Sequence, residues 1–213
     1  DGHPRLIFLN DMGDTFTESL DLHWMRPFIP EMEQSCHTFQ FLTKRPKRML
    51  QFFDSHCAQT TERIAWNFWL GTTVTSRATV GRAAELVKLR DYTRSVLWLS
   101  LEPLWEDVTE QLEQYLDRID WIVVGGESGT ELGGPNDPKP FREEWVGNLA
   151  DICSKYSVPL FVKQLGSLPH RGGRSVHYQD SHGSNWDEWD AGLRIRCFPA
   201  TDLAYKRHLK SLR

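Results

Sequence analysis

The stretch Ile119-Asp-Trp-Ile-Val-Val-Gly-Gly-Glu-Ser-Gly129 decides the fold. Trp121 to Val124 is an apolar run too short for a helix core and rich in β-formers, which predicts a strand buried on both faces. Gly125 and Gly126 then let the backbone turn and approach a neighbour closely, and Glu127 and Ser128 follow at once. A buried strand, a tight turn and polar groups are how an α/β protein presents a site at the carboxyl end of its sheet. The same glycines could also do no more than make the turn.

The pattern recurs along the chain with constant polarity, polar residues always following the apolar run. Arg5 to Leu9 leads into Asn10, Asp11 and Asp14, and His37 to Leu42 leads into Thr43, Lys44, Arg45 and Pro46. Asn67 to Leu70 continues through Gly71 into Thr73 and Thr75, and Ser95 to Ser100 ends in Glu102 and Pro103. Val158 to Val162 ends in Lys163, Gln164 and Gly166.

Between these strands lie helical patterns. Pro46 suits a first helical turn, and Met49, Leu50, Phe52 and Phe53 follow at helical spacing. Val80 to Arg90 and Glu143 to Tyr156 are amphipathic, and Val108 to Leu116 is a further helix. Leu20 to Met32 is broken into short pieces by Pro27 and Pro30, and Thr130 to Pro140 is a loop.

Six strands alternating with helices predict right-handed βαβ units and a parallel sheet. Polar groups at every strand end favour closure into a TIM-barrel-like (β/α) barrel over an open sheet, which concentrates such groups at one switch point. A complete barrel takes about 250 residues, so this chain of 213 is short at the front. The barrel body is expected over residues 1–166. Residues 167–213 form a loop-rich extension, with three histidines and no periodicity before a short closing strand at Leu193 to Phe198 and a basic helix at Leu203 to Leu212.

The net charge of −4 gives no global attraction to nucleic acid or anionic membranes. No apolar run is long enough to span a bilayer and no signal pattern opens the chain, which predicts a cytoplasmic protein. Cys36, Cys57, Cys153 and Cys197 form no Cys-x-x-Cys pair, so neither a zinc site nor a disulfide framework is indicated. His170, His177 and His182 are irregularly spaced for a metal. Nine tryptophans are many for this length, and those near strand ends could stack on a ligand.

The candidate catalytic residues are Lys44, Glu102, Glu127 and Lys163. Asn10, Asp11, Asp14, Thr73, Gly125, Gly126, Ser128 and Gln164 are candidates for binding a cofactor. Three chemistries stay open from the residues alone. Glu102 and Glu127 could be the paired carboxylates of a glycoside hydrolase, or Lys44 or Lys163 a Schiff-base amine. The rim could instead bind a polar cofactor.

Six segments in order, Ile7 to Asp14, Phe41 to Pro46, Leu70 to Val74, Leu99 to Leu104, Asp120 to Gly129 and Phe161 to Gly166, resemble a family of phage and bacterial proteins of unassigned function whose barrel is similar to that of radical S-adenosylmethionine enzymes. The resemblance implies a [4Fe-4S] cluster held by three thiolates in a segment ahead of Ile7, with S-adenosylmethionine bound to its free iron. It also implies radical chemistry on a substrate, with Asn10 to Asp14 where such enzymes grip the cofactor's amino group. No three-cysteine motif occurs in this chain. Lys44, Arg45, Arg77 and Arg82 add the expectation of a nucleotide or nucleic-acid substrate. The competing class is a cluster-free barrel that binds or hydrolyses a phosphorylated or sugar ligand.

Overall fold

A computed structural model describes residues 3–9, 12–60, 63–129 and 137–200. Six strands, β1 (Leu6–Phe8), β2 (Thr38–Thr43), β3 (Phe68–Thr73), β4 (Leu97–Leu101), β5 (Trp121–Gly125) and β7 (Leu160–Gln164), are hydrogen-bonded in that order, and three short strands, β6 (Phe141–Arg142), β8 (Pro169–Arg171) and β9 (Arg174–Ser175), form a second sheet in the order β6-β8-β9. Apart from the skipped β6, that main order follows the chain and never reverses, so the sheet has no topological switch point. β1 and β7 stand at its two ends. The fold is α/β, as the alternation predicts. No helix among the described residues is long and apolar enough to cross a membrane.

The chain divides into two compact units, Asp1–Thr73 with Gly81–Trp98 and Pro199–Arg213, and Val74–Val80 with Leu99–Phe198. The first carries β1 (Leu6–Phe8), α1 (Ile29–Gln34), β2 (Thr38–Thr43), α2 (Pro46–Thr60), β3 (Phe68–Thr73) and α3 (Gly81–Val87). The prolines split the expected helix as predicted, into a 3-10 turn at Arg26–Phe28 and α1. In α2, Pro46 fixes the first turn, and Met49, Phe52 and Phe53 fall on one face and are fully buried. Phe52 and Phe53 pack with Phe16, Phe41 and Phe68 into an aromatic core, and the Phe41–Phe68 centroids lie 5.3 Å apart. All six residues of β3 are buried. Ahead of β3, the buried Asn67 amide donates to the Met32 and His37 carbonyls at 2.9 Å each.

Register then places the strand ends. β1 and β2 are parallel with Phe8 opposite Gln40, and β2 and β3 are parallel with Thr43 opposite Thr72.

β4 (Leu97–Leu101) begins in this unit and ends in the second, which also holds α4 (Thr109–Leu112), β5 (Trp121–Gly125), β6 (Phe141–Arg142), α5 (Glu144–Tyr156), β7 (Leu160–Gln164), β8 (Pro169–Arg171) and β9 (Arg174–Ser175). β5 is buried throughout and runs parallel to β7, with Val124 opposite Val162 and a register shift that sets Gly125 opposite Gln164. The helix expected from Val108 to Leu116 is only α4 in α form and tightens into a 3-10 turn at Glu113–Arg118.

The expected closing strand, Leu193 to Phe198, shrinks to one antiparallel bridge, Phe161 to Arg196. A 3-10 turn at Ala191–Leu193 consumes its start. What remains still covers the outer edge of β7, since the Val162 amide donates to the Ile195 carbonyl and the Cys197 amide to the Leu160 carbonyl. The histidine-bearing loop contains β8 and β9, joined through Gly172 and Gly173 at φ of 56° and 75°, a turn that needs glycine. Most of Thr130 to Pro140, and the helix expected at Leu203 to Leu212, lie outside the described residues.

Candidate functional site

In the second unit, the ends of β4, β5 and β7 bring five of the predicted residues together. Lys163 Nζ donates to both oxygens of Glu102, at 2.9 and 3.1 Å. The Gln164 amide donates to Glu102 Oε1 at 3.1 Å, Ser128 Oγ at 2.8 Å and the Gly126 carbonyl at 3.2 Å. An amide nitrogen has two hydrogens, so these three acceptors share them. The Glu102 side chain is 18% exposed and that of Lys163 is 56% exposed. One partner of the ion pair is therefore held in place while the other reaches water.

Glu127 sits in a second arrangement. Its Oε2 accepts from the Trp105 indole N–H and the Lys139 amide, both at 3.0 Å. The Lys139 ammonium lies 3.9 Å from the Trp105 ring centroid, a cation–π contact.

The glycines make the close approach predicted for them, but to the chain itself. A Cβ on Gly126 would stand 2.3 Å from the Leu165 carbonyl oxygen, and one on Gly125 would stand 3.3 Å from both Gln164 Cγ and Glu102 Cδ. Gly166, at φ 77°, completes the crossing against the Glu127 backbone. Backbone packing between the exits of β5 and β7 thus accounts for Gly126, while Gly125 faces the Gln164 and Glu102 side chains.

In the first unit, Asp14 organises the ends of β1 and β2. Its carboxylate accepts from the Thr43 hydroxyl at 2.7 Å, the Phe16 and Lys44 amides at 2.9 and 3.0 Å, and Arg45 Nη1 at 3.1 Å. Burial works to raise its pKa, but these donors and the Arg45 charge together hold it below the ordinary carboxylate value. Lys44 takes part through its backbone, while its side chain belongs to an exposed residue. Thr73 is buried, and its carbonyl accepts from Arg82 Nη1 at 3.0 Å. Asn10 and Asp11 lie outside the described residues. Arg77 belongs to the other unit, where its Nε donates to the Asp107 carbonyl.

Trp105, Lys139 and Ser167 join these clusters without having been singled out in the sequence. Trp105 carries a weak signal, an aromatic just past a polar strand end. Ser167, whose hydroxyl bonds both the amide and the carbonyl of Gly129 at 3.0 Å, carries none. A cavity of about 450 Å³ in the first unit, lined by Leu9, Trp24, Phe28, Met32 and Phe39 among others, contains none of the predicted residues.

The described residues do not fit a [4Fe-4S] cluster, which needs three convergent thiolates. Cys36 and Cys197 are exposed, Cys57 is half-buried and Cys153 is buried, all free. Burial pushes the Cys153 thiol up to about 12, away from the thiolate a metal requires. No group of three or more histidines, cysteines or carboxylates placed to hold a metal occurs among the described residues.

Fold and site together define an α/β protein wound in sequence order, with hydrogen-bonding side chains gathered at the carboxyl ends of its parallel strands. The chain belongs to the family described as protein of unknown function DUF5131, whose model matches residues 2–191. No curated protein and no solved structure matches it.

Proposed function

We propose that this protein is a ligand-binding domain of TIM-barrel-like winding that holds a hydroxyl-rich small molecule, a sugar or phosphorylated sugar, at the ends of β4, β5 and β7. One observation carries the reading: Gln164 links Glu102 and Ser128 into a continuous row of acceptors and donors at neighbouring strand ends. Carboxylate, amide and hydroxyl groups in a row match the alternating donors and acceptors of a diol. Lys163, paired but more than half exposed, can swing from Glu102 to an anionic group on the ligand at small cost, since such surface ion pairs contribute at most about 1 kcal/mol.

Binding suits these groups better than covalent chemistry. A Schiff-base amine works best desolvated, whereas Lys163 is exposed and ion-paired. The radical reaction implied by the resemblance would draw its cluster ligands from a segment ahead of Ile7, and none of the described residues takes that role.

Isothermal titration with ribose, ribose 5-phosphate, adenosine and S-adenosylmethionine tests the reading. A sugar-bearing ligand is expected to bind, and Glu102→Gln and Gln164→Leu are expected to weaken it by about tenfold or more, with circular dichroism unchanged. Absence of binding across the panel, or binding that survives both substitutions, would overturn it.

A further inference from the structure

We infer that the ends of β2 and β3 carry a phosphoryl-binding site built on Arg45, which pairs with the Asp14 carboxylate, and on Arg82, which is held by the Thr73 carbonyl, their combined positive charge being left for an anion. Register sets the two side by side. Thr43 pairs with Thr72 across the β2–β3 ladder. Arg45 follows Thr43 by two residues, and Arg82 is tied to the Thr73 carbonyl at 3.0 Å.

Their charges are unequally answered. Arg45 Nη1 lies 3.1 Å from Asp14 Oδ2, whereas Arg82 donates, among the described residues, to the neutral Thr73 carbonyl. Asp14 is also committed to the Thr43 hydroxyl and two backbone amides. Glu18 approaches Arg45 at 3.7 Å, but its side chain is 75% exposed and its charge is screened by water. The arginines sense one another: burial first, then the Arg45 charge, pull the Arg82 pKa below its ordinary value. Two half-buried cations around one saturated carboxylate cost free energy that an incoming dianion removes.

Guanidinium groups bind phosphate through paired, charge-assisted hydrogen bonds. The fifteen-residue helix α2 begins at Pro46, directly after Arg45, and adds the positive end of its dipole. Arg77 is engaged elsewhere, its Nε donating to the Asp107 carbonyl at 3.1 Å. The inference does not depend on the sugar-type reading of the Glu102 cluster, because inorganic phosphate carries no sugar.

The test uses inorganic phosphate and pyrophosphate as probes, with sodium chloride at matched ionic strength as the control, read by thermal denaturation and isothermal titration. Phosphate-specific stabilisation is expected. Arg82→Gln should weaken pyrophosphate binding by about tenfold. Arg82→Lys, which keeps the charge and loses the fork, should lie between, and it serves as the reference if Arg82→Gln fails to fold. Arg77→Gln should match the parent.

Equal denaturation temperatures in phosphate and chloride, or pyrophosphate binding unchanged in Arg82→Lys, would overturn the site. A nucleoside monophosphate and a single-stranded oligonucleotide then identify the source of the phosphoryl group. A steep salt dependence, about 0.7 logarithmic units per phosphate contact over several contacts, marks a nucleic-acid backbone, and a shallow one marks a small phosphorylated ligand. Either result supports the site.

Discussion

Gly71 stands against the Trp98 indole so closely that a Cβ at position 71 would lie 2.3 Å from Cε2 and 2.5 Å from Nε1. Glycine weakens a strand interior, yet Gly71 occupies the middle of the fully buried β3. The strand gives up a side chain so that the ring can cross it. Gly71→Ala is expected to destabilise the protein by about 2–3 kcal/mol, since the indole must shift within a packed core. Denaturant unfolding of Gly71→Ala, Trp98→Phe and the double variant measures this. The smaller ring should recover part of the loss, and strictly additive effects would contradict the account.

Asp14 makes the junction of β1 and β2 sensitive to acid. Hydrogen bonds from Thr43, Lys44 and Phe16 and the Arg45 charge outweigh its partial burial, so its folded pKa lies below the unfolded value of about 3.9. A depressed folded pKa contributes stability that is present above the unfolded pKa and is lost as pH falls through the folded one. Stability should therefore decline as pH drops below about 4, and Asp14→Asn should be less stable at neutral pH but flatter across that window. Denaturant midpoints taken from neutral pH downward decide the matter. An acid slope identical in the two proteins would count against Asp14 as its source.

The alternation of apolar runs and amphipathic segments was enough to place β1 to β5, β7, α2, α3 and α5, because burial in a layered α/β fold writes itself into local periodicity. β6, β8 and β9 leave no such mark, being two or three residues long and lacking any alternation. At the site, Glu102, Ser128, Lys163 and Gln164 were legible as polar residues following apolar strands. Their partnership was not, because the Glu102–Gln164 bond spans 62 residues and depends on sheet register. The need for a close approach at Gly126 was likewise readable, whereas its object, the Leu165 carbonyl, was not. Sequence position announces that a group sits at a strand end, and only the neighbouring strand determines what it touches.

Glu143 is a nearly buried carboxylate at the start of α5, 5% exposed, and it clasps two side chains of the histidine-bearing segment. Arg171 Nε donates to it at 2.6 Å and the Tyr178 hydroxyl at 2.7 Å, while Arg171 Nη1 reaches Asp190 at 2.7 Å. Burial first, then the Glu143 carboxylate, push the Tyr178 phenol up to about 12. A raised folded pKa stabilises the fold below the unfolded value of about 10, and that contribution disappears as pH rises through the folded value. Tyr178 should accordingly ionise late in an ultraviolet titration, joined by Tyr92, whose hydroxyl bond to Asp54 also raises its pKa. Tyr178→Phe should shrink the late phase by one tyrosine and flatten the alkaline loss of stability, and a late phase of unchanged amplitude in the variant would show that Tyr178 does not contribute to it. Glu143→Gln leaves Arg171 its pair with Asp190 at a partly exposed site and should cost less than the about 3–5 kcal/mol of a fully buried broken pair. In that variant Tyr178 should ionise earlier, because the carboxylate that opposes its charge is gone.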